Sequence, residues 1–120
     1  MYAITFDMNI ELLRLNYGNS YNNAYDEIEE VLRNNGFIKH QRNIYFGDTT
    51  VNAVSCVIVT IKLSKLFPWF VSSIKNINML RIEELNDLMP AIRQEEKMNK
   101  YKKNPMHLVH STNIKDLTVS

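Results

Sequence analysis

The first eight residues, MYAITFDM, alternate between larger apolar side chains and smaller or more polar ones. This period of two predicts a β-strand with Asp7 near its end, on the more polar face. A strand end is wet and tolerates a charge, so the carboxylate has a structural explanation. It also has a chemical one, because many phosphodiester-cutting enzymes use carboxylates at strand ends to bind metal or accept a proton. The larger apolar side chains share the opposite face: Tyr2, Ile4, Phe6 and Met8.

A helical pattern follows a connector that turns at Gly18. Between residues 21 and 32, apolar side chains recur three and four positions apart, opposite an acidic face. This spacing predicts an amphipathic helix with a solvated acidic side. We expect Ser20 or Asn19 to cap its start, and Gly36 to end it in the left-handed conformation.

The segment 51–66 supports two interpretations. Its β-branched residues favour a strand, whereas its length of sixteen residues and the proline at position 68 favour a helix. We predict a helix, with Thr49 or Thr50 as its cap. A further short helix is expected over residues 87–98.

Three more strands complete the pattern. Two short strands are predicted at Phe37–His40 and Asn43–Phe46, joined by a tight connection at Gln41 and Arg42, and the last lies within residues 73–85. The order β-α-β-β-α-β predicts an α+β fold, a ferredoxin-like sandwich. In that fold an antiparallel four-stranded sheet carries two helices on one face. Here a short C-terminal helix and a tail would follow.

Two helices on one face leave the other face of the sheet bare. A bare sheet face on a small chain is usually buried, most simply against a second copy of the chain. We therefore expect a symmetric homodimer through the open sheet face. On this interpretation Asp7 projects towards that face, so that dimerisation brings two Asp7 residues to a shared cleft.

The length of the chain fits a single domain, and its charge does not strongly indicate that it binds a polyanion. The chain has 120 residues, of which 45% are hydrophobic and 22% charged, an ordinary globular composition. We assign residues 1–97 to the ferredoxin-like domain and residues 98–120 to a flexible tail. The net charge is −3 over residues 1–60 and +4 over residues 61–120, so a basic surface is only weakly supported.

The single cysteine and the apolar segments point to a soluble, cytoplasmic protein. Cys56 excludes an internal disulfide, and its apolar surroundings predict a small buried hydrophobe. The start of the chain resembles no signal peptide, and the apolar run around Cys56 is far shorter than a membrane span.

Three stretches carry a family resemblance: MYAITFDM, AYDEIEEVLRNNGF and LFPWFVSSIKNINMLRIEELNDL. In order and spacing, over about residues 1–93, they resemble virulence-associated protein D (VapD). That family is similar in fold to the small CRISPR-adaptation nuclease. The resemblance implies a ferredoxin-like homodimer with endoribonuclease activity and toxin behaviour in bacteria. It also implies that Asp7 is the leading catalytic residue.

Two segments depart from the family pattern. The family commonly has Gln-Gly-Ser where this chain has Gln41, Arg42 and Asn43, so an amide replaces a hydroxyl at position 43. Before the last strand the family has Arg-Asp-Ile-Arg, and here Asn76 and Asn78 remove an acid and a cation. These changes favour an alternative in which the fold is kept but catalysis is weak.

The expected chemistry assigns roles to four residues. Asp7 would act as base, or as a metal ligand with Mg²⁺ as a candidate cofactor. Arg42 fits a phosphate clamp, or else a solvated turn residue. His40 is a candidate proton donor, although a lone strand histidine is more often structural. Asn43 would support the site.

Other residues could contact RNA. Tyr45 and Trp69 could stack on unpaired bases, although burial is the simpler expectation for both. His107 and His110 have a spacing seen in metal sites but lack nearby ligands. The cations expected to extend an electrostatic path, each otherwise a surface charge, are Lys39, Lys62, Lys65, Lys75 and Arg81.

Three functions remain open from the sequence. The first is a VapD-like endoribonuclease that cleaves single-stranded RNA as a homodimer. The second is a catalytically weak dimer of the same fold that binds nucleic acid or a partner in a toxin–antitoxin system. The third is a purely protein-binding component that pairs with a cognate antitoxin through its tail.

Overall fold

The computed structural model of the chain describes residues 1–102, which divide into two units. The first unit, Met1–Glu84, contains the sheet, and the second begins at Leu85. The elements of the first unit are β1 (Tyr2–Met8), α1 (Ile10–Tyr17), α2 (Asn22–Asn34), β2 (Phe37–Gln41), β3 (Ile44–Gly47), α3 (Ala53–Leu66), α4 (Pro68–Ser73) and β4 (Ile74–Arg81). The second unit contains α5 (Met89–Lys102).

The four strands form one antiparallel sheet in the order β2-β3-β1-β4. β1 lies in the interior, where Ile4 is the partner of Tyr45 on one side and of Met79 on the other. This arrangement confirms the predicted α+β, ferredoxin-like fold. It also places the end of β1, and therefore Asp7, between the start of β4 and the turn that joins β2 to β3.

The core lies between the sheet and the helices. The face of β1 predicted to be apolar is buried, because Ile4, Phe6 and Met8 all pack into it. Burying each large apolar side chain contributes about 1.5–3 kcal/mol, so the alternation of β1 fixes which face the helices cover. The helices contribute further buried side chains, including Leu13, Ile28, Leu32, Val59, Leu63 and Phe70.

Two helices were not predicted. The connector before Gly18 is α1, which is capped by Asn9: the side-chain oxygen of Asn9 accepts a hydrogen bond from the N–H of Leu12 at 3.1 Å. Its periodicity is weak, since only Leu13 is buried in it. The second unpredicted helix is α4, which begins at Pro68; proline fits the first turn of a helix because it lacks an N–H.

The predicted helix caps are wrong in two places. Neither Thr49 nor Thr50 caps α3; the cap is Asn52, which exchanges hydrogen bonds with Ser55 in a capping box. The cap position of α2 is occupied by Tyr21, which makes no side-chain capping bond, in place of the residues expected there. Ser20 instead supports the first turn through its backbone carbonyl, which accepts from Asn23.

Gly36 has the predicted role at the end of α2. Its φ of +90° lies in the left-handed region, where a side chain would be strained. A Cβ at this position would also lie 3.1 Å from a methyl group of Val51. The chain therefore turns directly from α2 into β2.

The sheet face opposite the helices is partly apolar and uncovered within the first unit. Ile38 is 65% exposed and Leu80 is 45% exposed. Ala3 on the same face is fully buried, because its cross-strand partners Phe46 and Leu80 flank it.

Outside the sheet, α5 begins two residues later than predicted and continues to Lys102. The division at residues 97 and 98 into domain and tail remains a prediction. His107 and His110 lie outside the described residues. Cys56 is buried, as predicted. In the described part of the chain no helix is long and apolar enough to cross a bilayer.

Candidate functional site

Asp7 lies at the end of β1, between two core residues. Phe6 and Met8 on either side are buried, whereas the Asp7 side chain is exposed. The cross-strand partner of Asp7 is Asn76, and the pairing of β1 with β4 shifts its register directly after this position. The carboxylate therefore lies where the regular sheet stops.

Asn43 reaches Asp7 from the turn between β2 and β3. Its side-chain nitrogen donates a hydrogen bond to Oδ1 of Asp7 at 3.4 Å. Its backbone carbonyl accepts a hydrogen bond from Phe6 at 3.1 Å. Because the backbone bond continues the pairing of the sheet, the amide side chain is held at the end of β1.

Arg42, in the same turn, lies against a helix. Its guanidinium carbon is 4.0 Å from the ring centroid of Tyr25 on α2, a cation–π contact. Tyr25 is only 7% exposed. Burial raises the pKa of Tyr25, the charge of Arg42 opposes that rise, and the charge of Asp7 adds to it. The pKa of Tyr25 therefore depends on the charges of both Arg42 and Asp7.

Together these residues form a small polar cavity of about 260 Å³ at the end of the sheet. It contains one carboxylate, one guanidinium, one carboxamide and one phenol. Elsewhere in the fold, a more apolar groove of about 230 Å³ lies beside α3 and β4. The residues that line the polar cavity are Phe6, Asp7, Met8, Ile10, Tyr25, Arg42 and Asn43.

The apolar groove offers no comparable chemistry. Its one nucleophile of note, the Cys56 thiol, is 2% exposed, and burial raises its pKa. A raised pKa disfavours the reactive thiolate. The polar cavity is therefore the better candidate for a catalytic site.

The cavity can supply a base and a positive charge. An exposed carboxylate accepts a proton from a hydroxyl, and a guanidinium binds phosphate oxygens and offsets charge that develops on them. Because Asn43 bonds Oδ1 of Asp7, the second carboxylate oxygen is left to accept the proton. This pairing of functions suits the cleavage of a phosphodiester.

The cavity does not provide a complete magnesium site within one chain. Asp7 is the one carboxylate that lines it, and Mg²⁺ requires several oxygen ligands in near-octahedral geometry. Among the residues that the structure describes, no three His, Cys, Asp or Glu side chains come together as metal ligands.

The structure brings three of the predicted site residues together, Asp7, Arg42 and Asn43. His40 lies on β2, with β3 between it and β1, and its ring packs 4.7 Å from that of Phe46. Two strand spacings put His40 roughly 10 Å from β1. It does not line the cavity.

The predicted RNA-binding cations are scattered. Lys39 forms an ion pair with Glu29 at 3.6 Å. Arg81 pairs with Glu83 at 3.4 Å and lies opposite Tyr2, at the far end of β1 from Asp7. Lys62 donates a hydrogen bond to Asn35, and Lys65 lies in the last turn of α3. Lys75 lies on β4, next to Asn76, the cross-strand partner of Asp7.

Neither Tyr45 nor Trp69 presents a free ring on which a nucleobase could stack. Tyr45 is 1% exposed and stacks in the core with Phe6. Trp69 packs edge-on against Tyr17 and stacks with Phe67. The simpler expectation of burial or packing is thus confirmed for both.

Tyr25 is the site residue that the sequence did not reveal. It fits the apolar face of α2 like any core residue, and no local signal links it to Arg42, seventeen positions later. Only the packing of α2 against the turn between β2 and β3 brings the two together.

The chain is similar to several curated proteins, although no protein-family model matches it. It is 48% identical to Endoribonuclease VapD 2 of Riemerella anatipestifer over 93 residues, which cover 77% of this chain and 99% of that protein. It is 44% identical to the Endoribonuclease VapD homolog of Helicobacter pylori, covering 78% and 97%. For Endoribonuclease VapD of Dichelobacter nodosus, the identity is 33%, covering 78% and 98%.

Proposed function

The chain belongs to the VapD family of endoribonucleases, and we propose that it cleaves single-stranded RNA as a homodimer, with Asp7 as the catalytic carboxylate. The observation that supports this assignment is the grouping of Asp7, Asn43 and Arg42 in one polar cavity. A carboxylate, its hydrogen-bond donor and a phosphate-binding cation meet there.

In the proposed reaction Asp7 removes a proton from an attacking hydroxyl, either the ribose 2′-hydroxyl or water. The oxygen attacks phosphorus, the bond to the leaving 5′ oxygen breaks, and that oxygen takes up a proton. Asn43 holds Oδ1 of the carboxylate in place. No step of this route requires a metal ion; within one chain the cavity has the single carboxylate of Asp7.

Arg42 stabilises the charge that develops on the phosphate. Its guanidinium carbon lies 4.0 Å from the centroid of the Tyr25 ring, and a guanidinium carries enough N–H donors to bind phosphate oxygens in a bidentate manner as well. Removing such a charge stabiliser typically costs about 10²–10³-fold in rate.

The open sheet face supports the proposed dimer. Ile38 and Leu80 are exposed there, and Ile44 and Phe46 are half-buried. Pairing two such faces would bury these side chains. It would also bring His40, on the same face, into the interface. His40 does not line the cavity of its own chain, so as our candidate proton donor it would have to reach the leaving oxygen in the cavity of the second copy.

The test is cleavage of a labelled single-stranded RNA by the wild-type and Asp7→Asn proteins, each with Mg²⁺ and with EDTA. Light scattering first establishes the mass of both proteins, and circular dichroism their folding. We expect only the wild type to cut, in both solutions. Equal cleavage by the Asp7→Asn protein would overturn the assignment of Asp7, and loss of activity in EDTA would overturn the metal-free route.

A second function is favoured by the amides around Asp7. Asn43 and Asn76 stand where the family commonly carries a hydroxyl and an acid, so Asp7 is the one carboxylate at the cavity. A weakly catalytic dimer would bind RNA, or a cognate antitoxin in the cytoplasm, without cutting. In the same assay it would retain RNA in a complex and release no fragments.

A further inference from the structure

Two arginine–tyrosine pairs lie near the cavity. The first lines it, and the second lies further along α1 and α2. Arg42 lies over Tyr25 at 4.0 Å, as described. Beside it, Arg14 of α1 lies over the ring of Tyr21, with its guanidinium carbon 5.2 Å from the ring centroid. Arg14 was not among the cations expected to bind RNA.

The two pairs are one helical turn apart. Tyr21 and Tyr25 are four residues apart at the start of α2, which places their side chains about 5–6 Å from each other on one face. On α1, Ile10 lines the cavity and Arg14 lies four residues further on. On each helix, therefore, the residue of the second pair lies four residues, about one turn, from a residue that lines the cavity.

Within residues 1–102, neither Arg14 nor Arg42 is part of an ion pair. The ion pairs found among the described residues join Lys39 to Glu29 and Arg81 to Glu83, and neither involves these two arginines. Glu27, an acid on the same part of α2, is engaged by the Tyr17 hydroxyl, a hydrogen bond that is the main cause of the rise in the pKa of Tyr17 to about 12.

We propose that Arg14, supported by Tyr21, binds a second backbone phosphate of the RNA strand whose scissile phosphate lies on Arg42. This inference rests on the proposed function, because it takes Asp7 as the point of cleavage. One helical turn is about as long as one sugar–phosphate unit, so the second phosphate is the neighbour of the scissile one along the strand. The RNA would therefore run across the junction of α1 and α2.

The ring beneath each guanidinium explains why arginine and tyrosine occur together here. An aromatic face restrains the long side chain and leaves its planar edge of N–H donors outward. Lys39 and Arg81, in contrast, already pair with carboxylates. The path of the strand is thus set by the two supported arginines.

The experiment measures RNA binding without cleavage. A fluorescent single-stranded oligonucleotide is titrated with the Asp7→Asn protein by anisotropy, at several salt concentrations between about 50 and 200 mM. Adding Arg14→Gln should weaken binding about fivefold and reduce the slope of log K against log salt by about 0.7, the contribution of one phosphate contact to a single strand. Arg14→Lys should restore the slope.

The matched control is Arg33→Gln, at the far end of α2. It should change neither the affinity nor the slope. The inference is overturned if Arg14→Gln leaves both unchanged, if Arg33→Gln has the same effect, or if the Asp7→Asn protein binds no RNA. If the wild type proves unable to cut but binding still depends on Arg14, the nuclease assignment fails and this binding site stands.

Discussion

The side-chain nitrogen of Asn43 donates a hydrogen bond to Oδ1 of Asp7 at 3.4 Å, although 36 positions separate the two residues in the sequence. The contact is supported by the backbone bond from Phe6 to the Asn43 carbonyl at 3.1 Å. The pairing of the sheet thus holds the Asn43 amide beside the carboxylate that we propose to be catalytic.

Replacing Asn43 by Ala should lower kcat about tenfold and leave KM nearly unchanged. The substitution removes the donor that orients Asp7 but touches no group proposed to bind phosphate, and a loss of about 1.4 kcal/mol corresponds to a factor of ten. Asn43→Ser should recover part of the rate, because a hydroxyl can also donate. Steady-state cleavage of labelled RNA measures both effects.

The control for Asn43 is Asn34→Ala, at the exposed end of α2. It should leave both constants unchanged. If Asn43→Ala raised KM and spared kcat, Asn43 would instead contact the substrate, and its proposed orienting role would be wrong.

Replacing Arg42 by Lys should lower kcat/KM by about 10-fold or more, although the charge is kept. Lysine loses both the planar group that lies over the Tyr25 ring and the bidentate edge of the guanidinium. Tyr25→Phe keeps the ring and should stay within about threefold of wild type, since a cation–π contact needs only the aromatic face. Equal rates for Arg42→Lys and wild type would show that charge alone suffices.

The sequence predicts those parts of the molecule that depend on local periodicity. The alternation in β1 and the amphipathic pattern of α2 identify their buried faces, because burial follows from side-chain spacing. α1 escapes this reasoning, since Leu12 and Leu15 are exposed and only Leu13 is buried. Its apolar residues lie on two sides of the helix: Ile10, Leu13 and Tyr17 pack on the core, and Leu12 and Leu15 do not.

The site is predictable only in part, for the same reason. Asp7 at a strand end and Arg42 in a turn are positions where functional groups commonly occur. Tyr25 looks like an ordinary core residue, and its role depends on a packing contact between distant segments. Arg14 likewise acquires significance only where α1 meets the start of α2.

The cap of α3 allows a direct test of a prediction that failed. Asn52→Ala removes the side-chain oxygen that accepts from the Ser55 N–H at 2.9 Å, and should lower the free energy of unfolding by about 1 kcal/mol. Thr49→Ala, at a position first expected to be the cap, should change it by less than about 0.5 kcal/mol. Urea unfolding followed by circular dichroism compares the two. A larger loss for Thr49→Ala would show that the helix begins earlier.

Replacing Tyr45 by Phe should make the fold more resistant to alkali. The Tyr45 hydroxyl is buried and finds no hydrogen-bond partner in the described structure, and burial raises its pKa from 10.0 to about 12. The unfolded chain therefore loses this proton first, so stability present below pH 10 declines as the pH rises towards 12. Tyr45→Phe removes that loss, and at neutral pH it should raise the free energy of unfolding by up to about 1 kcal/mol, because an unsatisfied hydroxyl disappears.

Urea unfolding at several pH values measures both effects, with Tyr2→Phe as the control for losing one phenol. An alkaline decline as steep in Tyr45→Phe as in Tyr2→Phe would contradict the raised pKa of Tyr45, and a loss of stability at neutral pH in Tyr45→Phe would mean that the hydroxyl is hydrogen-bonded to water in the fold.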